Sequence, residues 1–254
     1  MIEWQDDGIV LTQQPHGEDA ALVQVLTRSH GRYAGLVRGG QSRRNRGVYE
    51  PGNIVRATWR ARLSDHLGCF KCETVASPVA QLLADPHRLL ALAAATSLLA
   101  AVLPERAPYP ATFAGTHTLL DMLGEDHWAE MYVQWEILLL GDLGFALDFR
   151  TCAGGGNDRL AYVSPRTGRA VSLSVGAPYR DRLLPLPGFL IGESGGGPSE
   201  VAQGLFLTAH FLRRHVFQPM DRDLPAERQR LATRLALREA NGVYEPIEPS
   251  SRMF

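Results

Sequence analysis

Lysine is almost missing from this sequence of 254 residues. Lys71 is its only lysine, and arginine supplies the other 25 of the 26 basic residues. A Walker A loop needs a lysine between glycine and serine or threonine, because that lysine reaches the β- and γ-phosphates of the nucleotide. Lys71 instead follows Phe70 and precedes Cys72. The sequence therefore excludes an ATP site of this type.

Motifs for catalysis or metal binding are missing as well. The sequence has no His-Glu-x-x-His motif and no Gly-x-Gly-x-x-Gly motif, and its eight histidines show no spacing typical of metal ligands. The glycine runs at 154–156 and 195–197 lack the strand and helix that flank a phosphate-binding loop. No catalytic set of residues is evident. We expect a protein that is not an enzyme and has no cofactor.

Long hydrophobic runs are also absent. The longest apolar stretch, residues 89–103, covers 15 positions and includes Thr96 and Ser97. A membrane-spanning helix needs about 20 such residues. The residues after Met1 are acidic, where a secretory signal would be basic. We therefore expect a cytoplasmic protein without a membrane partner.

Cysteine is scarce, with only Cys69, Cys72 and Cys152. The Cys-x-x-Cys spacing of the first two is typical of half a zinc site or of a redox couple. A zinc site would need further ligands, and a redox couple normally lies at a helix N-terminus. On a strand, two side chains three residues apart point to opposite faces. We interpret these cysteines as structural and keep a thiol-redox protein as the less favoured alternative.

What the sequence does have is an uneven distribution of charge. Between Arg28 and Lys71 there are ten basic and two acidic residues, although the whole chain has a formal net charge of −1. Such asymmetry favours a polyanionic partner over a merely solvated basic face. Arginine suits this role because its planar guanidinium binds phosphate oxygens bidentately. The candidate residues for binding the phosphates of a nucleic acid are Arg38, Arg43, Arg44, Arg46, Arg56, Arg60 and Arg62.

The first part of the chain has five short runs with the composition of strands, separated by turn residues. They lie at 8–12, 20–27, 33–38, 53–63 and 66–76. Five strands of this length and spacing predict a small β-barrel over residues 1–80. Tyr33, Tyr49 and Phe70 fall within these runs or between them, and we favour core packing over base stacking for each.

The fourth run alternates with period two. Arg56, Arg60 and Arg62 occupy one face, which we expect to be the outer face of the barrel. The core face is predicted to consist of Val55, Ala57, Trp59, Ala61 and Leu63. Residues 39–47, which precede this run, are rich in glycine and arginine and predict a flexible loop.

The remainder, residues 81–254, is predicted to be mainly helical. Asp85 and Pro86 have the composition of a helix start, with an N-cap followed by proline. The helices are expected at 89–103, 111–123, 127–140, 199–217 and 226–240. Residues 151–197 are rich in glycine and proline and interrupt this pattern with a hairpin-like segment at 160–169. The fold class is therefore α+β, with an N-terminal barrel packed on a helical body.

Several segments, in their order and spacing, resemble the RecO family of bacterial DNA repair proteins over nearly the whole chain. They are Trp4 to Thr12, GRYAGLVRGGQSR at 31–43, YEPG at 49–52, CAGGG at 152–156 and YVSPRTG at 162–168. The resemblance implies that the five-stranded barrel is an OB-fold. It also implies a recombination mediator that binds single- and double-stranded DNA and anneals complementary strands without ATP.

The resemblance further implies a set of partners. These are RecR, the acidic C-terminal tail of single-stranded-DNA-binding protein and, indirectly, the recombinase RecA. A protein of this kind is expected at the nucleoid during repair. An OB-fold that binds RNA remains the alternative, because phosphate contacts alone do not distinguish the two nucleic acids.

The chain departs from the family at one place. Some family members have a zinc finger of four cysteines in two Cys-x-x-Cys pairs after the central helices. The corresponding positions here are Cys152, Gly155, Ser172 and Val175. One thiolate cannot hold tetrahedral zinc. We therefore interpret residues 151–197 as a zinc-free, finger-like insertion and expect no bound metal.

Overall fold

The computed structural model describes residues 1–63, 66–193 and 196–240, except for the side chains of Arg44 and of residues 238–240. The fold is α+β, with a five-stranded barrel followed by a helical body that contains a small second sheet. The strands are β1 (Ile2–His16), β2 (Ala20–Thr27), β3 (Gly31–Val37), β4 (Ile54–Ala61), β5 (Gly68–Ala76), β6 (Leu160–Val163), β7 (Ala170–Ser172) and β8 (Leu184–Pro185). The helices are α1 (Arg43–Arg46), α2 (Pro78–Leu82), α3 (Pro86–Val102), α4 (Pro110–Met122), α5 (Trp128–Asp142), α6 (Leu173–Gly176), α7 (Pro198–Leu212) and α8 (Ala226–Ala240).

The five predicted N-terminal strands are present and form a closed barrel with the strand order β1-β2-β3-β5-β4. β1 is longer than predicted, because its first half pairs with β4 and its second half with β2. A register shift between Val10 and Thr12 lets this long strand bend from one neighbour to the other. The barrel closes through a short parallel ladder between β3 and β5.

The alternation predicted for β4 is largely confirmed. Val55, Ala57, Trp59 and Ala61 are buried, while Arg56 and Arg60 are exposed. The prediction is wrong at the end of the run, because β4 stops at Ala61. Arg62 therefore follows the strand and does not share its outer face with Arg56 and Arg60. Leu63 is 51% exposed instead of lying in the core.

The segment predicted as a flexible loop instead contains helix α1 and a 3-10 turn, Gly47–Tyr49. Ser42 caps α1, since its side chain accepts a hydrogen bond from the backbone N–H of Asn45. The side-chain amide of Asn45 in turn donates to the carbonyl of Gly39. These local hydrogen bonds explain why arginine-rich residues after a pair of glycines fold here.

The helical body follows the predicted pattern with shifted ends. Asp85 caps α3 by accepting hydrogen bonds from the backbone of His87 and Arg88, as its sequence position indicated. Helix α5 runs two residues past the predicted end at 140. The predicted helix at 199–217 ends at Leu212 and continues as a π-helical turn, Arg213–Phe217.

A buried ion pair joins three helices of this body. Glu136 of α5 and Arg228 of α8 have side chains that are 0% and 1% exposed, and Arg228 Nη2 donates to Glu136 Oε2 over 2.9 Å. Thr208 of α7 donates its hydroxyl to the same carboxylate. Arg228 Nη2 also donates to the carbonyl of Leu205. Most polar groups of this network are thereby satisfied within the core.

Barrel and helical body meet at the start of β3. The Nε of Arg32 donates to the carbonyl of Leu103 over 2.8 Å, and the Arg32 carbonyl accepts from the N–H of Arg106. Gly31 is required at this contact, since a Cβ there would lie 2.0 Å from the Ala107 carbonyl oxygen. Arg32 is thus a structural residue of the junction, although it belongs to the basic segment of the sequence.

The predicted hairpin is present as β6 and β7, and β8 adds a third strand on the other side of β6. The backbone N–H of Ala170 donates to the carbonyl of Asp148, which attaches this sheet to the chain after α5. Within the described residues, no helix is long and apolar enough to cross a membrane.

Candidate nucleic-acid interface

A groove of about 830 Å³ opens on the barrel between the end of β3, the α1 segment and the β4–β5 connection. Buried side chains of Tyr49, Phe70 and Cys72 contribute to its lining. Its basic side chains are Arg38, Arg60, Arg62 and Lys71. We call this feature the barrel groove.

The barrel groove follows from the way the barrel closes. β3 and β5 pair only through Gly35 and Leu36 with Gly68 and Cys69, and beyond this ladder the two strands are no longer paired. Arg38 follows β3 and Lys71 lies on β5, so the two side chains line the groove from different strands. Glycine permits the close approach of the two strands, because a Cβ on Gly35 of β3 would lie 2.6 Å from the Phe70 ring of β5.

The electrostatics of the barrel groove favour an anion. Arg60 pairs with Glu3 over 2.7 Å, whereas Arg38, Arg62 and Lys71 have no ion-pair partner among the residues that the structure describes. No carboxylate from the described part of the chain lines the groove. A concave site that is lined by positive charges attracts polyanions.

The other predicted arginines lie elsewhere. Arg56 is on the outer face of β4 and pairs with Asp7 over 2.8 Å. Arg43 is exposed on α1, and the side chain of Arg44 lies outside the described part. Arg46 lines a separate groove between β1 and α3. Of the six candidates whose side chains are described, Arg38, Arg60 and Arg62 line the barrel groove, and Arg43, Arg46 and Arg56 do not.

The sequence analysis counted Lys71 among the ten basic residues of the segment but did not select it as a candidate binding residue. The signal for it was present, since exposed and buried residues alternate along β5 with Phe70 and Cys72 inside. Period two places Lys71 on the outer face, directly opposite Thr58 of β4. Its convergence with Arg38 depends on the β3–β5 closure, which the sequence pattern does not reveal.

The aromatic residues of the barrel are core residues, as expected. Tyr49 and Phe70 are 4% and 5% exposed, and the Tyr49 hydroxyl accepts from the backbone N–H of Cys72. Tyr33 packs edge-on against Trp4 and Trp59, with ring centroids 4.9 and 5.0 Å apart. The described part of the barrel groove thus offers cations and the exposed ring of His66, but no exposed Phe, Tyr or Trp for base stacking.

The geometry of the cysteines argues against a thiol couple. Cys69 is exposed and Cys72 is buried, on opposite faces of β5. Three residues of extended strand span about 10 Å, whereas the Cα atoms of a disulfide lie within about 7 Å. Burial also raises the pKa of Cys72 to about 12, so its thiol stays protonated.

The zinc-finger positions do not fit a metal. Cys152 Sγ accepts hydrogen bonds from the backbone N–H groups of Ser172 and Gly154, at 3.2 and 3.4 Å. The two acidic residues nearest in sequence are engaged elsewhere: Asp148 accepts hydrogen bonds from Arg150, and Asp158 accepts them from the hydroxyl and N–H of Ser174. In the described ranges, no group of three His, Cys, Asp or Glu side chains could hold a metal ion.

Two family models match the chain. Recombination protein O N terminal matches residues 1–78, and Recombination protein O C terminal matches residues 83–223. The chain belongs to the RecO family. The RecO N-terminal domain is an OB-fold, which agrees with the five-stranded barrel.

Relatives named DNA repair protein RecO match most of the chain. The protein from Rhodospirillum centenum is 58% identical over 236 residues, which cover 92% of this chain and 94% of the relative. The protein from Rhodospirillum rubrum is 50% identical, with 92% and 97% covered. The protein from Phenylobacterium zucineum is 47% identical, with 92% and 98% covered.

In this RecO chain the barrel groove coincides with part of the surface that OB-folds use for binding. OB-folds bind oligonucleotides with the face of the second and third strands and with the β1–β2 and β4–β5 connections. Here the β1–β2 turn carries the exposed acidic residues Glu18 and Asp19. The β4–β5 connection contributes Arg62 and His66 to the barrel groove. Charge therefore favours approach of a nucleic acid from the β4–β5 side.

Proposed function

We propose that this chain is a non-enzymatic DNA-binding protein of DNA repair and recombination, and that the barrel groove holds the DNA backbone. The observation that carries the proposal is the convergence of Arg38, Arg62 and Lys71, without ion-pair partners in the described chain, on one groove of an OB-fold. The names of the relatives, each a DNA repair protein, support the choice of DNA. We therefore propose that the protein acts at the nucleoid, where DNA is found.

The proposed mechanism is annealing of complementary strands without ATP. Guanidinium and ammonium groups neutralise phosphates and reduce the repulsion between two strands. The aromatic side chains of Tyr49 and Phe70 in the barrel groove are buried, and of its described residues His66 alone presents an exposed ring, so a bound strand keeps most of its bases accessible for pairing. Contacts of this kind read no sequence, which suits a protein that must anneal any pair of strands.

The test is a triple variant of the groove, Arg38→Ala, Arg62→Ala and Lys71→Ala, compared with the intact chain. Each phosphate contact on a single strand contributes about 0.7 to the slope of log affinity against log salt. We expect the slope to fall by about 2 and annealing to slow. A matched control removes three exposed arginines near the C-terminus, with the changes Arg222→Ala, Arg230→Ala and Arg234→Ala.

The control separates a site from bulk charge, because both variants lose three positive charges. Equal losses of affinity in the two variants would mean that net charge alone governs binding. No loss in the groove variant, with its fold verified by circular dichroism, would also refute the proposed site. Binding of DNA and RNA oligomers of one sequence, measured on filters, tests the RNA-binding alternative.

We also propose the partners that the family resemblance implies: RecR, RecA indirectly, and the acidic tail of single-stranded-DNA-binding protein. For the tail, the helical body offers a groove of about 510 Å³ that is lined by Phe206, His210, Arg213, Arg214 and Gln218. Phe206 is 61% exposed and would pack against a terminal aromatic residue, while the arginines would bind carboxylates. The π-helical turn beside it is of a kind that is frequent at functional sites.

Fluorescence anisotropy with a labelled tail peptide tests this groove. We expect saturable binding that weakens at least tenfold in Phe206→Ala. The groove variant of the barrel serves as the control and should bind the peptide normally. Absence of saturable binding to the intact chain would refute the tail proposal.

Finally, we propose that residues 151–197 are a zinc-free remnant of the family's finger. Hydrogen bonds from Ser172 to Cys152 Sγ and from Ser174 to Asp158 connect the two segments that a metal would otherwise join.

A further inference from the structure

Exposed aromatic rings are rare in this protein. Among the aromatic residues of the described chain, only Tyr179 and Phe206 are exposed, at 59% and 61%. Phe206 lies in the concave groove of α7. Tyr179 instead lies on a 3-10 turn, Ala177–Arg182, in which every residue is exposed.

The turn holds Tyr179 on a fixed support. β7 and β8 both run antiparallel to β6, so the chain between them must cross from one end of the small sheet to the other. Pro178 is the second residue of the turn, and two residues after its end Leu184 is buried in its pairing with Val163. At its other end Gly176 packs on the Tyr162 ring, where a Cβ would lie 2.4 Å from a ring carbon. A ring on such a support loses little entropy on binding.

The surroundings of Tyr179 are basic. Residues 150–182 contain six arginines, all exposed, and two acidic residues, Asp158 and Asp181. Three of these arginines pair with carboxylates outside this range: Arg150 and Arg169 with Asp148, and Arg159 with Glu193. Asp158 is engaged by Ser174. Arg180 lies 3.7 Å from Asp181, and Arg182 has no ion-pair partner within the described ranges.

We propose that Tyr179, Arg180 and Arg182 form a second binding site for single-stranded DNA, in which a base stacks on the Tyr179 ring. The inference deepens the proposed function, since annealing requires two strands and the barrel groove accounts for one. A single strand presents flat bases and phosphates in alternation, which matches an exposed ring flanked by guanidinium groups.

Photocrosslinking of the full chain tests the site directly. Single-stranded DNA containing 5-iodouracil forms a covalent bond with an aromatic ring on which the modified base stacks. Trypsin releases residues 170–180, AVSLSVGAPYR, a peptide whose only aromatic residue is Tyr179. We expect DNA adducts on this peptide in the intact chain and in Tyr179→Phe at the new ring, but none in Tyr179→Leu. Adducts confined to other peptides would overturn the inference.

Annealing rates provide the second measurement. Tyr179→Leu should slow annealing about fivefold or more while Tyr179→Phe retains the rate, because stacking needs the ring and not the hydroxyl. Equal rates for the leucine variant and the intact chain would also overturn the inference.

The groove variant separates this inference from the function on which it rests. If the groove variant loses its salt-dependent affinity while the intact chain forms no adduct on residues 170–180, the Tyr179 site is refuted and the barrel groove is supported. Unchanged affinity in the groove variant, with adducts on residues 170–180, would refute the barrel groove and support the Tyr179 site.

Discussion

At the scale of single residues, the three cysteines lie in three different environments. Cys69 is exposed on the outer face of β5, and Cys72 is buried on the inner face. Cys152 is surrounded by hydrogen-bond donors from Ser172 and Gly154. Because a thiolate is the reactive form, these surroundings decide which cysteine reacts.

We expect Cys152 to be alkylated much faster than Cys72. The Ser172 hydroxyl, followed by the backbone N–H groups of Ser172, Gly154 and Gly156, lowers the pKa of Cys152 to about 7. Burial raises the pKa of Cys72 to about 12. Thiolate forms above the pKa, so the iodoacetamide rate at Cys152 should rise as pH increases through about 7. Mass spectrometry of tryptic peptides measures both rates, and equal rates at pH 7 in the folded protein would contradict the expectation.

The second residue-scale prediction is the absence of zinc. Of the four finger positions, Cys152 alone holds a residue type that binds zinc, and its sulfur accepts backbone hydrogen bonds. We expect elemental analysis of purified protein to find far less than one zinc per chain. We also expect a chelator to leave the melting temperature unchanged. A zinc content close to one per chain would disprove the interpretation of residues 151–197.

At the scale of elements, periodicity predicted most strands and helices to within a few residues. β4 is the clearest case, because alternation with a period of two over Val55 to Ala61 indicates a strand with one buried face. The elements that were missed, including α1, α2 and β8, are five residues or fewer. Such elements depend on caps and on neighbouring strands, as Ser42 and Leu184 illustrate, and periodicity is not visible over so few residues.

The candidate site was predictable only in part. Composition identified the arginine-rich segment, and alternation separated outer from inner residues. Whether a given cation is free depends on tertiary neighbours: Asp7 pairs with Arg56, and Leu103 accepts from Arg32. Those neighbours come from distant parts of the chain, so charge counting overestimated the number of available arginines.

Helix α1 provides the element-scale prediction. It carries Arg43, Arg44 and Arg46 next to the barrel groove, which Asn45 of the same helix helps to line. Changing all three arginines to alanine should flatten the salt dependence of DNA binding and weaken all sequences alike. Salt titrations with several oligomers measure this. An unchanged slope and affinity, in a variant with a normal circular dichroism spectrum, would assign these arginines to solubility alone.

At the scale of the whole molecule, α8 holds the helical body together. It packs on α3 and α7 and places Arg228 against Glu136 of α5. The network includes Thr208, which lies two residues from both Phe206 and His210 of the proposed tail groove. Stability of the body and geometry of that groove therefore depend on the same buried pair.

Removing one partner of this pair should be costly. Arg228→Met leaves the carboxylate of Glu136 buried without its counter-charge, and such losses typically lower the free energy of unfolding by about 3–5 kcal/mol. The double variant with Glu136→Met as well should recover most of that loss, because apolar side chains of similar volume replace buried pairs at little cost. Arg230→Met is the matched control on the same helix, since Arg230 is exposed and its loss of the pair with Glu227 should change the free energy of unfolding by less than about 1 kcal/mol. Urea unfolding measures all three variants. A single variant as stable as the control would show that the buried pair does not hold α8 in place.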